Sequence, residues 1–274
     1  MTAVSVRGSE PEDMPEIDPQ RPSAARIYDY FLGGTHNFAA DRQAAAAAVA
    51  AMPDLPAIMR ANRDFLRRAV EVAAAAGVDQ FLDLGSGIPT QGNVHEIARR
   101  RLPHARVVYV DLEPVAVVHG RRLLAGDPDA EVLLADLADP DVVLGSPAVR
   151  DLLDLTKPVC VLAVAVAHFL PDTERLGRAL EQYREAVASG SYLVMSHASG
   201  EGDMQQAEQV RRIYNTTTSP LVLRNRDDFR GFFGDWQLIE PGLTVVAQWR
   251  PDGAQEQVRE VAGRSVIVAA ARKP

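Results

Sequence analysis

Three aspartates each close a short apolar run in the middle of the chain. Asp83 ends Gln80-Phe81-Leu82-Asp83-Leu84, Asp111 follows Arg106 to Val110, and Asp136 follows Ala130 to Leu134 and Ala135. Runs of this length and character read as buried strands. Carboxylates at the C-terminal ends of successive strands can receive hydroxyl and amino hydrogens from a ligand, and open α/β sheets bind ligands along that edge. Asp83 leads directly into Gly85-Ser86-Gly87, a turn whose glycines permit unusual backbone angles and close approach of a ligand. Asp111 lies 28 positions after Asp83, where a carboxylate at the end of the second strand can accept from both hydroxyls of a ribose. Its competing reading is a helix cap ahead of Pro114. Asp136, with Leu137 beside it, suits an adenine amino group, and it suits equally a cap for the following turn.

The loop itself discriminates between nucleotide cofactors. A dinucleotide fingerprint places a third glycine three residues after the second, where this chain has Thr90 preceded by Pro89. A pyrophosphate needs free N–H groups at the helix start, and proline removes one. The loop therefore argues against NAD. A fourth apolar run, Val159 to Val166, carries Ala165 and leads into Ala167-His168-Phe169-Leu170. His168 is a candidate general base, a candidate hydrogen-bond donor to a substrate, or a structural histidine. No Pro-Pro-aromatic element follows this run, and that element marks amino methylation of bases. The other histidines show no metal-ligand spacing with one another or with Cys160.

These residues must be held by alternating strands and helices. Helical patterns cover 94–102, 114–124, 146–153 and 174–188, and a fifth strand covers 191–196. Alternation of this kind indicates a mostly parallel sheet built from right-handed crossovers. Toward the end, helices at 203–214 and 227–233 precede strands at 236–240, 244–249 and 265–271, which suits an antiparallel hairpin at the sheet edge. Ahead of the first strand stand three helices. One opens at Pro22-Ser23 and stops at Gly33-Gly34, an Ala-rich one runs from Asp41 to Met52, and a third runs from Pro56 to Ala76. The expected organisation is a flexible, acidic, Pro-rich tail over 1–21, a helical extension over 22–77, and a cofactor domain over 78–274.

Several stretches resemble those of the actinobacterial S-adenosyl methyltransferase family, formerly a domain of unknown function. They are Ser23-Ala24-Ala25-Arg26-Ile27-Tyr28-Asp29-Tyr30-Phe31-Leu32-Gly33-Gly34 with Asn37-Phe38 and Asp41-Arg42, then Asn62 to Arg68, Phe81 to Thr90, and Val108-Tyr109-Val110-Asp111 with Pro114. The resemblance covers nearly the whole chain from Pro22. It implies a Rossmann-like class I methyltransferase fold, a seven-stranded mostly parallel sheet with S-adenosylmethionine as cofactor. The cofactor would sit among Asp83, Gly85, Ser86, Gly87, Pro89, Thr90, Asp111, Leu112, Asp136, Leu137 and Ala165. Tyr28, Asn37 and Arg63 would turn inward from a helical lid, with Arg63 pairing the methionine carboxylate. His168 is the candidate catalytic residue. Pro89 matches this family's loop.

Composition bounds the partners. The chain has 29 basic and 37 acidic residues, a net charge of -8, and no dense basic stripe, so no nucleic-acid partner is expected. The longest apolar stretch, 158–167, is about half a membrane span, so no membrane partner is expected. The single Cys160 sits in an apolar run, and a cytoplasmic location is expected. The leading expectation is a transferase that methylates a small molecule. A non-catalytic S-adenosylmethionine-binding protein and an NAD-dependent oxidoreductase are the alternatives. Polar stretches at 195–202 and 215–218 are candidates for contact with the methyl acceptor.

Overall fold

The structure is a computed structural model that describes residues 17–89, 92–253 and 263–274. Five parallel strands form its centre: β1 (Gln80–Leu84), β2 (Arg106–Asp111), β3 (Ala130–Leu134), β4 (Cys160–Val164) and β5 (Tyr192–Ala198). Side chains alternate across the sheet. Phe81, Val107, Cys160, Leu162 and Val194 face one apolar layer, while Leu82, Val108, Val161, Ala163 and Leu193 face the other. Helices cover both faces, which is why these strands read as continuous apolar runs rather than as alternating ones.

One face carries α1 (Ala24–Phe31), α2 (Ala39–Ala51), α3 (Leu55–Ala75), α4 (Val94–Arg99) and α5 (Pro114–Leu123). The opposite face carries α6 (Pro140–Gly145), α7 (Pro147–Leu152), α8 (Thr173–Ala186) and α10 (Arg226–Gly231). Helix α9 (Met204–Tyr214) packs against α2. Helix α6 is too short for an apolar period to announce it in the sequence.

The sheet order is β3-β2-β1-β4-β5-β8-β6, where β6 is Gln237–Leu238 and β8 (Val266–Arg272) is antiparallel to β5. The chain order reverses between β1 and β4, and ligands of such sheets bind beyond the strand ends at that point. Two long strands were expected at 236–240 and 244–249. The structure instead places two short ones, β6 (Gln237–Leu238) and β7 (Thr244–Val245), along the same side of β8. Among the described residues, eight strands thus occupy seven positions. Residues after β7 turn away because buried Arg68 draws in two carbonyls: Nε donates to Trp249 O at 2.9 Å and an Nη to Val246 O at 3.4 Å.

The expected tail over 1–21 lies mostly outside the described residues. Its described end is tied down: Arg26 donates to the carbonyls of Asp18 and Arg21. Among the described residues, no helix is long and apolar enough to cross a membrane.

Candidate cofactor and acceptor site

The ends of β1, β2, β3 and β4 open into a cavity of about 780 Å³. Small-molecule sites span roughly 300–1,000 Å³, and this one lies within that range. Its floor is the strand edge, and α1, α3 and α9 close over it. Asp83, Gly85, Ser86, Gly87, Asp111, Leu112, Asp136, Leu137 and Ala165 line it, together with Tyr28, Arg63 and His168.

The glycine loop is built from inside the protein. Gly85 N and Ser86 N both donate to Val110 O, at 2.7 and 3.1 Å. Gly87 N donates to Asp111 Oδ2 at 2.7 Å, and Glu113 N to Asp111 Oδ1 at 2.8 Å. The carboxylate of Asp111 therefore joins the loops after β1 and β2 and keeps further lone pairs for a ligand. Asp111 orders the turn before α5 and also lines the cavity. The N–H groups of Gly85, Ser86 and Gly87 are spent internally, and Glu96 already occupies the first turn of α4. These three amides are not available to a pyrophosphate, and the helix end already has a compensating carboxylate.

Burial shapes the acids. It raises the Asp83 carboxyl to about 7; the field of Arg63 opposes the rise and that of Asp111 adds to it. It raises Asp111 to about 6 against the backbone N–H groups that stabilise its anion. Asp136 lies at the rim, where Oδ1 accepts from Ala138 N at 2.9 Å and Oδ2 from Arg175 at 3.0 Å.

Two expected residues do not line this cavity. Asn37 does not reach the cavity, because its Nδ2 donates to Asp29 Oδ2 at 2.9 Å and to Gly34 O at 3.0 Å. Asp29 organises the turn after α1, and Asn37 belongs to that turn. Pro89 lines a small adjoining crevice of about 20 Å³, which shares Arg63, Asp83, Ser86 and Gly87 with the cavity. Thr90 lies outside the described residues.

At the end of β4, Ala165 adopts a φ of 57°, sparsely populated for a residue with a side chain. Its N–H donates to Ser196 Oγ at 2.8 Å, which holds the turn open toward the cavity. His168 follows in a 3₁₀ turn. Ala198 N donates to its Nδ1 at 3.2 Å, so in the neutral ring the proton sits on Nε2. Burial and the neighbouring His197 and Arg224 hold its pKa well below the usual value. His197 has the opposite tautomer, since Arg224 donates to its Nε2 at 2.9 Å and its Nδ1 donates to Ala198 O at 2.7 Å. Of the roles expected for His168, this arrangement fits a hydrogen-bond donor. A general base would need the nitrogen that the Ala198 amide occupies.

The helical roof is anchored by an ion network that spacing did not reveal. Arg26 Nε donates to Asp41 Oδ2 at 2.9 Å, and an Nη donates to Glu113 Oε1 at 3.0 Å. Asp41 is fully buried and also accepts from Ser23 N and Phe38 N. The network ties α1 and α2 to the residue two positions after Asp111. A second unforeseen group is the wall formed by Phe169 and Tyr214, whose rings lie 5.6 Å apart. No spacing in the sequence pairs residues so distant in the chain.

A family model described as S-adenosyl methyltransferase matches residues 10–274. The crystal structure of a DUF574 family protein from Streptomyces avermitilis is 40% identical, with a TM-score of 0.90, covering 94% of this chain and 100% of that one. A second, a "putative methyltransferase" from Thermobifida fusca, is 39% identical with a TM-score of 0.86, covering 93% and 96%. No protein of curated function matches the chain.

Proposed function

The chain belongs to the S-adenosyl methyltransferase family, with the class I fold and S-adenosylmethionine as cofactor, and from that premise we propose that it methylates a small molecule held in the cavity above β4 and β5. The observation that carries this reading is the roofed cavity itself. It runs from Asp111 past His168 to Tyr214 beneath α1, α3 and α9. Such a space suits a ligand that can be surrounded on most sides. A net charge of -8 disfavours polyanionic acceptors.

The residues fit the cofactor's chemistry. Asp111 accepts from the ribose hydroxyls, and Asp136 and the Leu137 backbone flank the adenine. Asp83 and Arg63, close enough to act on each other's charge, hold the amino and carboxylate groups of the methionine end. The cofactor supplies a methyl group already activated on a sulfonium sulfur. The protein's contribution is then placement and exclusion of water. His168 presents Nε2–H to the acceptor and takes no proton from it. An acceptor at that position arrives with its lone pair already available.

Transfer of labelled methyl groups to DNA, RNA, protein and a metabolite extract tests the proposal. Label in a metabolite supports it, and label in a macromolecule refutes the small-molecule reading. Tight cofactor binding with no transfer anywhere indicates a non-catalytic binding protein instead.

A further inference from the structure

The cavity extends beyond the strand ends that the cofactor reading uses. From His168 the wall continues through Phe169, 4.3 Å away, to Tyr214, and then to Tyr28 on α1. Tyr28 and Tyr214 are near enough for one phenol to raise the pKa of the other, second only to burial. The Tyr28 hydroxyl donates to Met59 O at 3.2 Å and accepts from Asn62 Nδ2 at 3.0 Å. That pair of bonds sets the orientation of the Asn62 amide. Its Oδ1 is left as a buried acceptor with no hydrogen-bond partner, on a residue 2% exposed that lines the cavity.

A buried acceptor without a donor is unfavourable and uncommon in folded proteins. Ser265 Oγ, at the start of β8, is a second buried, unpartnered polar atom on the same cavity. The surrounding wall is apolar: Ala207, Val210 and Tyr214 from α9, then Leu221 and Leu223. None of these is charged. Arg63, the charged residue that α3 contributes to the cavity, acts on Asp83 and Tyr28.

We propose that the arm between α3 and α9 is the subsite for the methyl acceptor, and that it takes a neutral, largely apolar ring compound whose hydroxyl or N–H group is received by Asn62 Oδ1. The proposal rests on the methyl-transfer reading. The group bound by Asn62 is an anchor, and the atom to be methylated lies at the other end, facing His168. A ring can lie flat against the single wall that Phe169 and Tyr214 form, and aromatic faces favour flat partners. A charged compound would lose its hydration in this arm, where the nearby Arg63 is already engaged by the methionine carboxylate of the cofactor.

The test is calorimetry at saturating S-adenosylhomocysteine with three probes: 2-naphthol, 2-methylnaphthalene and 2-naphthoate. The hydroxyl and methyl probes have nearly the same shape. Wild-type protein should bind 2-naphthol about tenfold more tightly than 2-methylnaphthalene, the cost of leaving Asn62 Oδ1 unpaired. It should bind 2-naphthoate more weakly than 2-naphthol. Asn62→Leu should bind the two neutral probes equally and keep S-adenosylhomocysteine affinity within about threefold. Equal binding of the neutral probes by wild type, or preference for the carboxylate, overturns the proposal. So does loss of S-adenosylhomocysteine binding in a folded Asn62→Leu protein, which would assign Asn62 to the cofactor. The wild-type comparison decides the matter even if that variant does not fold. Failure of wild type to bind S-adenosylhomocysteine would instead defeat the methyl-transfer reading.

Discussion

Val166 occupies the space that a side chain on Gly85 would need: a Cβ there would lie 2.2 Å from Val166 Cγ2. Gly85 also has a φ of +72°. The loop after β1 and the turn after β4 are therefore interlocked at the point where the strand order reverses. Gly85→Ala should suffer both from left-handed backbone and from overpacking, each costing about 1–3 kcal/mol. Its melting temperature and its affinity for S-adenosylhomocysteine should both fall. Val166→Gly in the same chain, which also removes the Cβ that would lie 2.5 Å away, should recover part of the loss, leaving the backbone component. A double-mutant cycle by thermal unfolding and calorimetry measures the coupling. Additive effects would show that the two residues do not constrain each other.

Asp83 trades stability for ligand binding. Its folded value of about 7 and that of Asp111, about 6, lie above the ordinary carboxyl value of about 3.9. The stability these groups contribute is thus fully present below about pH 4 and lost as pH rises through about 6 and 7. Asp83→Asn should stabilise the unliganded protein, by an amount that grows from about pH 4 to pH 7 and then levels. The same variant should bind S-adenosylhomocysteine more weakly. Melting curves across this range, with and without ligand, check both signs. A variant no more stable than wild type at pH 8 would contradict the burial argument.

Arg26 joins the roof to the ribose side of the cavity. Arg26→Met leaves Asp41 buried without its cation, a change expected to cost about 3–5 kcal/mol. Helices α1 and α2 should become susceptible to limited proteolysis, and cofactor affinity should drop because Glu113 is released next to Asp111. Glu113→Gln, which keeps a hydrogen-bond acceptor at a less buried position, should be milder in both assays. Equal protease resistance in wild type and Arg26→Met would show that the network does not hold the roof.

His168 should remain a neutral Nε2–H tautomer throughout the physiological range. Its Nδ1 is occupied by the Ala198 amide, and burial opposes the charged form. Nitrogen-detected magnetic resonance of selectively labelled histidine should show no titration of this ring between about pH 5 and 8. A ring that protonates near pH 6.5 would restore the general-base role.

Much of the site was legible without coordinates. The apolar runs, the aspartates that end them and the Gly85-Ser86-Gly87 turn are local features. Strand length, chain reversal and backbone freedom depend on neighbouring residues, so spacing alone placed Asp83, Asp111 and Asp136 along one edge. Pro89 and Thr90 alone disfavour a dinucleotide, and in the folded loop Gly85, Ser86 and Gly87 spend their N–H groups on Val110 and Asp111.

What spacing could not supply were relations between residues far apart in the chain. Asn37 reads as a polar lid residue until Asp29 is seen to claim its amide. His168 reads equally as base or donor until an amide 30 positions away is seen on its Nδ1. Asn62 becomes informative only because one amide atom is bonded and the other is buried without a partner. Local sequence determines which residues reach the sheet edge, because strand and turn geometry are short-range. Protonation, tautomer and unmet hydrogen-bonding capacity are set by whatever packs against a group, and only the tertiary structure decides that.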